Sequence, residues 1–462
     1  MAIFRCSLVL ALCTVAMYAA EPDWPGIRDE TIRHFTRVLR MDTTNPPGNE
    51  TQVAEYVKSV LEREHIPVQL FARDPARANL VARLKGSGPG RPILILGHSD
   101  VVGVQREKWN VDPFAGLRKD GYIWGRGATD DKDNLTACLI VMLTLKRMNI
   151  PLKRDVIFVS EAGEETGNDY GINFLVKEHW PEIDAEFALA EGGYMVQRPN
   201  EKPYVEVTTV DKVPRTLRLV AHGRAGHASE PVPDNAVLRL AAAVGKFADW
   251  QPPARLNDTT RAYFERLASV SSAAQADRYL HVADRARAAE IERYFYLREP
   301  GNYAMMRTTV TPTILKAGFR FNVVPSEAEA TLDMRVLPDE DVPALIEKMK
   351  NVIGDKSVEI VGPTAGGRPV APPSRIDTAM FRALEHATQR LFPGAVTIPA
   401  MSNGATDSCQ LRAKGVQAYG IGGIASGGPL SGAHSDNEGI SEESLMKLVQ
   451  YVWYSVNEVA GK

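Results

Sequence analysis

The chain has 462 residues, 44% hydrophobic and 24% charged, the proportions of an ordinary folded protein, which excludes a disordered, collagen-like or polytopic membrane chain. That length fits two or three domains and a sizeable core. Lys plus Arg number 54 against 57 Asp plus Glu, a net charge of -3, so no basic surface for nucleic acid is indicated.

Residues 1–20 carry one side-chain charge, Arg5, and an apolar run from Ser7 to Ala16 that leads into Ala19 and Ala20. This is the pattern of a secretory signal peptide and predicts export, periplasmic or secreted; a leader retained as an anchor is the alternative. No later segment is long and apolar enough to span a membrane. Cys6 and Cys13 fall in the leader, and the remaining two, Cys138 and Cys409, make no disulfide framework.

From residue 21 to about 213, short aliphatic runs alternate with amphipathic stretches. Residues 92–97 (PILILG), 155–160 (DVIFVS) and 186–190 (EFALA) read as buried strands. Residues 52–64 and 134–148 read as helices, the second capped by Asp133. Such alternation implies a layered α/β domain. From 214 to about 370 the period changes, and residues 215–222 and 328–335 alternate with period two, as strands of an antiparallel sheet with one solvated face do. A charged, helix-rich insertion at about 250–300 lies between them. Over 371–462 the α/β pattern returns, with a helix at 378–391, a strand at 416–421 and a closing helix at 442–459. The predicted architecture is one α/β domain (21–213 and 371–462) interrupted by a smaller α+β domain (214–370).

His98 and Asp100 follow the strand at 92–97 and share one side of an extended chain. Asp100 can then accept one ring N–H while the other ring nitrogen binds a metal, although a strand-end histidine is more often structural. The loop GRGATDDKDN at 125–134 presents Asp130 and Asp131 before a helix. Gly125 and Gly127 make half of a dinucleotide fingerprint, but a third glycine is missing and Asp130 would repel a pyrophosphate, so a cation suits the loop better. The strand at 155–160 runs into EAGEETG, where Glu164 and Glu165 point different ways, one towards a metal and one towards the attacking water. The strand at 186–190 runs into Glu191-Gly192-Gly193, and His434 sits in GAHSDNE after a Gly-rich loop at 420–428 that reads as substrate-facing. Four strand ends with His, Asp or Glu beside glycine are improbable as decoration. Two histidines and three carboxylates are the nitrogen and oxygen donors of a dizinc hydrolase with a bridging carboxylate.

HSD at His98, WNVDPFAG through GRGATDDK, EAGEETG, EGG at Glu191, HGRAGHASEP around His227 and GAHSDNE around His434 together resemble the dizinc aminoacylase, acetylornithine deacetylase and carboxypeptidase S family, most closely its carboxypeptidase S branch. The resemblance implies a zinc-peptidase α/β catalytic domain with a ferredoxin-like lid or dimerisation domain. It implies His98, Asp130 and Glu191 on one zinc, His434, Asp130 and Glu165 on the other, with Asp130 bridging through a cis peptide to Asp131; cobalt or manganese could replace zinc. It makes Asp100 the residue that orients His98 and Glu164 the general base. His227 would reach across a homodimer to the partner's cleft, and Asn322 and Arg335 would hold the substrate's carboxylate. Thr406 lies in NGATD, where the family usually has a G-G-T-S-D type loop, and Asn403 and Ala405 depart from that pattern.

A water shared by two zinc ions has its pKa lowered from about 16 towards about 7, Glu164 shuttles its proton to the leaving nitrogen, and Arg335 selects an amide beside a free carboxylate. The expected activity is that of a carboxypeptidase or dipeptidase, with an N-acyl-amino-acid deacylase as the alternative. Side chains of both domains and of the insertion shape the acyl pocket. A catalytically inert peptide-binding protein is a distant alternative, disfavoured because all five ligands and Glu164 are present.

Overall fold

The structure, a computed structural model, describes residues 21–167, 169–197, 202–363, 367–425 and 432–461. The predicted leader and part of the 420–428 loop lie outside these residues.

Strand Gly90–His98 runs parallel to Arg154–Glu161 on one side and Phe187–Glu191 on the other. These form the middle of a nine-stranded sheet that continues outward through Asn79–Leu84 and Val68–Phe71 in one direction. In the other it continues through Gln417–Ile421, Tyr204–Asp211 and Val396–Ser402. The unbroken apolar run of the His98 strand follows from burial on both faces. Ile93 and Ile95 pack with helices Trp24–Leu39, Lys132–Arg147, Ala379–Leu391 and Glu442–Ala460, while Leu94 and Leu96 pack with Ile172–Glu178 and Ser408–Ala413 on the reverse face. Gly97 lets the Lys132–Arg147 helix come this close, because a Cβ there would sit 2.5 Å from the Leu135 nitrogen. This helix starts one residue before Asp133. Its cap is Asp131, and Asp133 lies in the first turn, which corrects the sequence expectation.

The smaller sheet has the order Thr309–Ala317, Glu327–Val336, Val213–His222, Val358–Val361, antiparallel throughout, with helices Ala236–Asp249 and Val342–Ile353 in the β-α-β-β-α-β succession of a ferredoxin-like unit. The period-two strands put Leu217, Leu219, Leu332 and Met334 into its core. The fold is therefore α/β with an interrupting α+β unit, as the change of period implied. The inserted helices, from Asp258–Ala268 to Pro300–Met305, pack their apolar faces on the edge of the large sheet. Tyr263, Phe264, Leu267 and Phe295 meet Tyr204, Val210, Ile398 and Met401 there. Both described cysteines are buried and unpaired, and no described helix is long and apolar enough to cross a membrane.

Candidate metal centre

His98 ends its strand fully enclosed. Its Nδ1 lies 3.0 Å from the main-chain oxygen of Asp100 and 3.5 Å from the Asp100 carboxylate, so the carbonyl is the closer acceptor. That leaves Nε2 facing the cleft, 3.0 Å from Asp130 Oδ1 and 3.9 Å from Glu191 Oε2. The Asp100 carboxylate has a second task that its position in the sequence does not reveal. Its Oδ1 accepts the backbone N–H of Glu164 at 3.0 Å and its Oδ2 that of Glu165 at 3.1 Å, with Asn45 Nδ2 at 2.8 Å. One buried side chain thus seats the turn that carries both glutamates against the strand that carries His98.

The second oxygen of Asp130, Oδ2, lies 3.1 Å from His434 Nε2, which is itself 3.1 Å from Glu165 Oε2. The Asp130–Asp131 peptide is cis, and Asp131 turns its Oδ2 back to the N–H of His98 at 3.2 Å. Burial opposes ionisation of Asp130, yet hydrogen bonds from His434 and His98 outweigh it and hold the carboxyl below the usual range. Burial and then the Glu164 carboxylate raise Glu191 well above it. Burial pushes Glu164 up to about 8 despite the opposing Arg368. The Asp130 and Glu165 hydrogen bonds raise His434 to about 10.

The cluster can hold a metal ion: one ligand atom each from His98, Asp130 and Glu165, and one each from His98, Glu164 and Glu191, lie within 4.8 Å of one another. Ligand atoms about 2.1 Å from one ion lie no more than about 4.2 Å apart. His98 Nε2 comes within that limit of Asp130 and of Glu191, and His434 Nε2 within it of Asp130 and of Glu165, at 3.0 to 3.9 Å. Each oxygen of Asp130 faces a different imidazole, as a bridging ligand requires, and repulsion among the clustered carboxylates is the cost a cation would remove.

A cavity of about 430 Å³ opens beside Asp130, Glu164, Glu165, Glu191 and His434, with Thr406 in its wall. His98 and Asp100 stand behind this surface. His227 and Asn322 lie together instead on the short ribbon in which Gly226–His227 pairs with Val323–Val324, part of the smaller unit. His227 is exposed and holds Ser229 Oγ at 2.6 Å. Arg335 pairs with Asp333 at 2.8 Å, in register with Pro214 and Thr309. Among the described residues none of these three contacts the carboxylate cluster.

Sequence reasoning missed Arg368. Its guanidinium contacts Glu164 Oε1 and lies 3.2 Å from Asp407 Oδ1, with only 12% of the side chain exposed. A lone Arg in a Gly- and Pro-rich stretch carries no periodic signal. It also missed Glu438, which accepts Arg126 Nη1 at 2.7 Å and the N–H of Thr129 at 2.7 Å and so ties the His434 segment to the loop before Asp130.

The profile of "Peptidase family M20/M25/M40" matches residues 94–457. A Homo sapiens N-fatty-acyl-amino acid synthase/hydrolase is 31% identical over 334 residues, 70% of this chain and 65% of that protein. A probable carboxypeptidase S-like protein of Dictyostelium discoideum is 31% identical over 342 residues, 72% of this chain and 65% of its own length. The chain thus spans just under two thirds of these two relatives. The crystal structure of a metallo-carboxypeptidase from Sulfolobus solfataricus superposes with a TM-score of 0.69 at 19% identity, covering 93% of this chain and 99% of that one.

Proposed function

Since the chain belongs to peptidase family M20/M25/M40, a family of metal-dependent hydrolases, we propose that it is a dizinc amidohydrolase that cleaves the amide next to a free carboxylate, acting as a carboxypeptidase or dipeptidase. The observation that carries this reading is Asp130, whose two oxygens face His98 and His434, while Glu164 stands in the same cavity paired with Arg368. Zinc held by His98, Asp130 and Glu191 and by His434, Asp130 and Glu165 would polarise the amide carbonyl and acidify a water. Glu164 accepts a proton and delivers it to the leaving nitrogen, a task suited to a carboxyl whose pKa burial has raised. Arg368 offers a buried guanidinium for the substrate's carboxylate, and a substrate that takes it frees Glu164 from its ion pair. N-acyl amino acids are the second reading, supported by the human relative's name.

Two further elements belong to this reading. The leader at 1–20 exports the chain. The chain also pairs with a second copy along the free edge of strand Thr309–Ala317 and the turn after it, where Leu315 of the strand is 65% and Phe319 and Phe321 of the turn are 83% and 97% exposed, apolar surface that a lone chain leaves uncovered. In such a homodimer His227 serves the partner's cleft.

The test is release of a free amino acid from a panel of dipeptides, longer peptides and N-acyl amino acids, before and after chelation and after zinc is restored. Hydrolysis that survives chelation, or no amino acid released from either class, overturns the proposal.

A further inference from the structure

The turn that carries Glu164 and Glu165 is placed by the Asp100 carboxylate, and that carboxylate has two claims on it. Its Oδ1 accepts the Glu164 N–H at 3.0 Å and lies 3.5 Å from His98 Nδ1, so a small rotation would trade the turn for the imidazole. The last bond of an Asp side chain has a broad torsional preference, so the donors around the carboxylate decide where its two oxygens face. Asn45 is the donor that settles this. Its Nδ2 meets Asp100 Oδ2 at 2.8 Å, shorter than either bond from the glutamate backbone. Oδ2 is also the oxygen that accepts the Glu165 N–H at 3.1 Å, so Asn45 holds the half of the carboxylate that faces Glu165.

Asn45 is itself fixed. It lies between helices Trp24–Leu39 and Thr51–Arg63, in a segment that runs alongside the end of the His98 strand. Thr43 donates Oγ1 to the Ser99 carbonyl at 2.6 Å, the Val101 N–H goes to the Thr43 carbonyl at 3.2 Å, and the Asn45 N–H goes to the Val101 carbonyl at 2.9 Å. The Lys132 ammonium donates to the Met41 carbonyl at 2.8 Å. Thr43, Asn45, Asp100 and Lys132 are all buried. The turn has other supports that do not pass through Asn45. Asn79 Oδ1 accepts the Ala162 N–H at 3.0 Å, and Arg77, paired with Glu50 at 2.6 Å, lies over the Tyr170 ring at 4.3 Å. Loss of the Asn45 amide therefore leaves the turn folded and frees the aim of its two glutamates.

His98 does not depend on Asn45 in the same way. The nearer acceptor for its Nδ1 is the main-chain oxygen of Asp100 at 3.0 Å, which rotation of the side chain does not move. We propose that Asn45 is a positioning residue: by holding Asp100 Oδ2 it fixes the rotation of that carboxylate, and through it the backbone of Glu164 and Glu165, so that Glu165 stays aimed at His434. The inference rests on the amidohydrolase reading for what the two glutamates do, whereas the hydrogen bonds are independent of that reading. Its consequence is asymmetric. The metal position of His434, Asp130 and Glu165 needs Asn45, and the position of His98, Asp130 and Glu191 does not.

The experiment measures zinc affinity at both positions, in competition with a chromophoric chelator, on parent, Asn45→Ala, Thr43→Val and the exchanged pair Asn45→Asp with Asp100→Asn. The readout is the ratio of the two dissociation constants within one preparation, from which unfolded protein cancels. Asn45→Ala should weaken the Glu165 position relative to the Glu191 position by about tenfold or more, the worth of a hydrogen bond to a charged group. Thr43→Val loosens the same segment without touching the carboxylate and should keep the parent ratio. The exchanged pair restores a hydrogen bond between positions 45 and 100 but turns an amide nitrogen towards the Glu165 N–H, donor against donor, so its ratio should stay shifted. At saturating zinc Asn45→Ala should lower kcat by about tenfold with KM little changed, because Asn45 is not part of the cavity wall. The parent ratio in Asn45→Ala, its recovery in the exchanged pair, or an equal shift in Thr43→Val would overturn the proposal. Hydrogen exchange of the metal-free protein tests the positioning apart from function. The N–H groups of Glu164 and Glu165 should exchange about tenfold or more faster in Asn45→Ala than in parent, and at the parent rate in Thr43→Val. That pattern in a parent that binds fewer than two zinc ions or releases no amino acid counts against the amidohydrolase reading alone. Two zinc ions and hydrolysis, with exchange and ratio unchanged in Asn45→Ala, count against the role of Asn45 alone.

Discussion

Arg126 Nη1 lies 2.7 Å from Glu438 Oε2, with both side chains buried. The same carboxylate accepts the N–H groups of Gly127 and Thr129, so Glu438, four positions after His434, fixes the loop before Asp130. Removing one partner of a buried ion pair leaves the other charge uncompensated, at a cost of about 3–5 kcal/mol. Glu438→Ala should lose stability on that scale in guanidinium unfolding and should bind metal more weakly. The double variant Arg126→Met, Glu438→Leu should be more stable than Glu438→Ala, because no charge is stranded. Equal stability of Glu438→Ala and parent would refute the stapling role.

Among the described residues Asp130 is the one carboxylate paired with both imidazoles. Asp130→Ala should therefore weaken binding at both metal positions, while His434→Ala, which removes a ligand of the second position only, should leave close to one ion per chain. Elemental analysis after dialysis against a weak chelator gives the stoichiometry. Two ions retained by Asp130→Ala would rule out the bridge.

Glu164 and Glu165 donate their adjacent backbone N–H groups to the two oxygens of Asp100 yet send their side chains to different partners, Arg368 and His434. Glu164→Gln should keep its metal and lose about two to four orders of magnitude in turnover, the usual worth of a general base. Glu165→Gln should lose metal affinity first. Arg368→Met should cost about 10- to 100-fold in kcat/KM, the scale of a lost charge-assisted hydrogen bond. A metal-depleted Glu164→Gln with a fully loaded Glu165→Gln would exchange the two roles.

These carboxylates and histidines were legible because each lies within a few residues of a buried strand's end or beside a glycine, so that short-range pattern and chemistry coincide. The alternation of Ile93 and Ile95 with Leu94 and Leu96 was legible for the same reason. Arg368 was not, since its partner Glu164 is 204 positions away and no element flanks it to place its side chain. The inserted helices show where the limit falls. Their amphipathic pattern announces that Tyr263, Phe264 and Leu267 need a partner, but not that the partner is the edge strand Val396–Ser402 rather than the smaller sheet that precedes them. That choice puts Tyr263 and Asn302 into the cleft, and it depends on long-range packing that periodicity does not encode.

Lys212 stands fully buried at the junction between the two units, donating to the Ala304 carbonyl at 3.1 Å and to Thr309 Oγ1 at 3.2 Å. Burial, reinforced by Arg335, lowers its pKa from 10.5 to about 7. Between about pH 7 and 10.5 the unfolded chain therefore holds a proton at this position that the folded chain does not. Its contribution to stability must then rise with pH across that window, by up to about 1.4 kcal/mol per pH unit. Guanidinium midpoints at several pH values in this range should rise less steeply for Lys212→Met than for the parent. A difference of zero or of opposite sign would mean that the lysine stays charged when buried.

His227 tests the homodimer. It sits on the ribbon of the smaller unit, away from its own chain's carboxylate cluster, so within one chain it needs closure of the two units to act, and across a two-fold axis it needs a partner. Glu164→Ala and His227→Ala proteins should each be nearly inactive under either arrangement. In a mixed dimer that works in trans, one site has its own Glu164 and the partner's intact histidine. Random mixing by co-refolding makes half the dimers mixed, with one good site in two, so activity should recover to about a quarter of the parent value. A chain that uses His227 in cis recovers nothing, because every site then lacks one of the two groups. Phe319→Ser with Phe321→Ser provides the complementary measurement. Loss of the exposed aromatic edge should shift the protein to monomer in sedimentation and abolish the recovery, whereas a dimer that persists after this change would place the interface elsewhere.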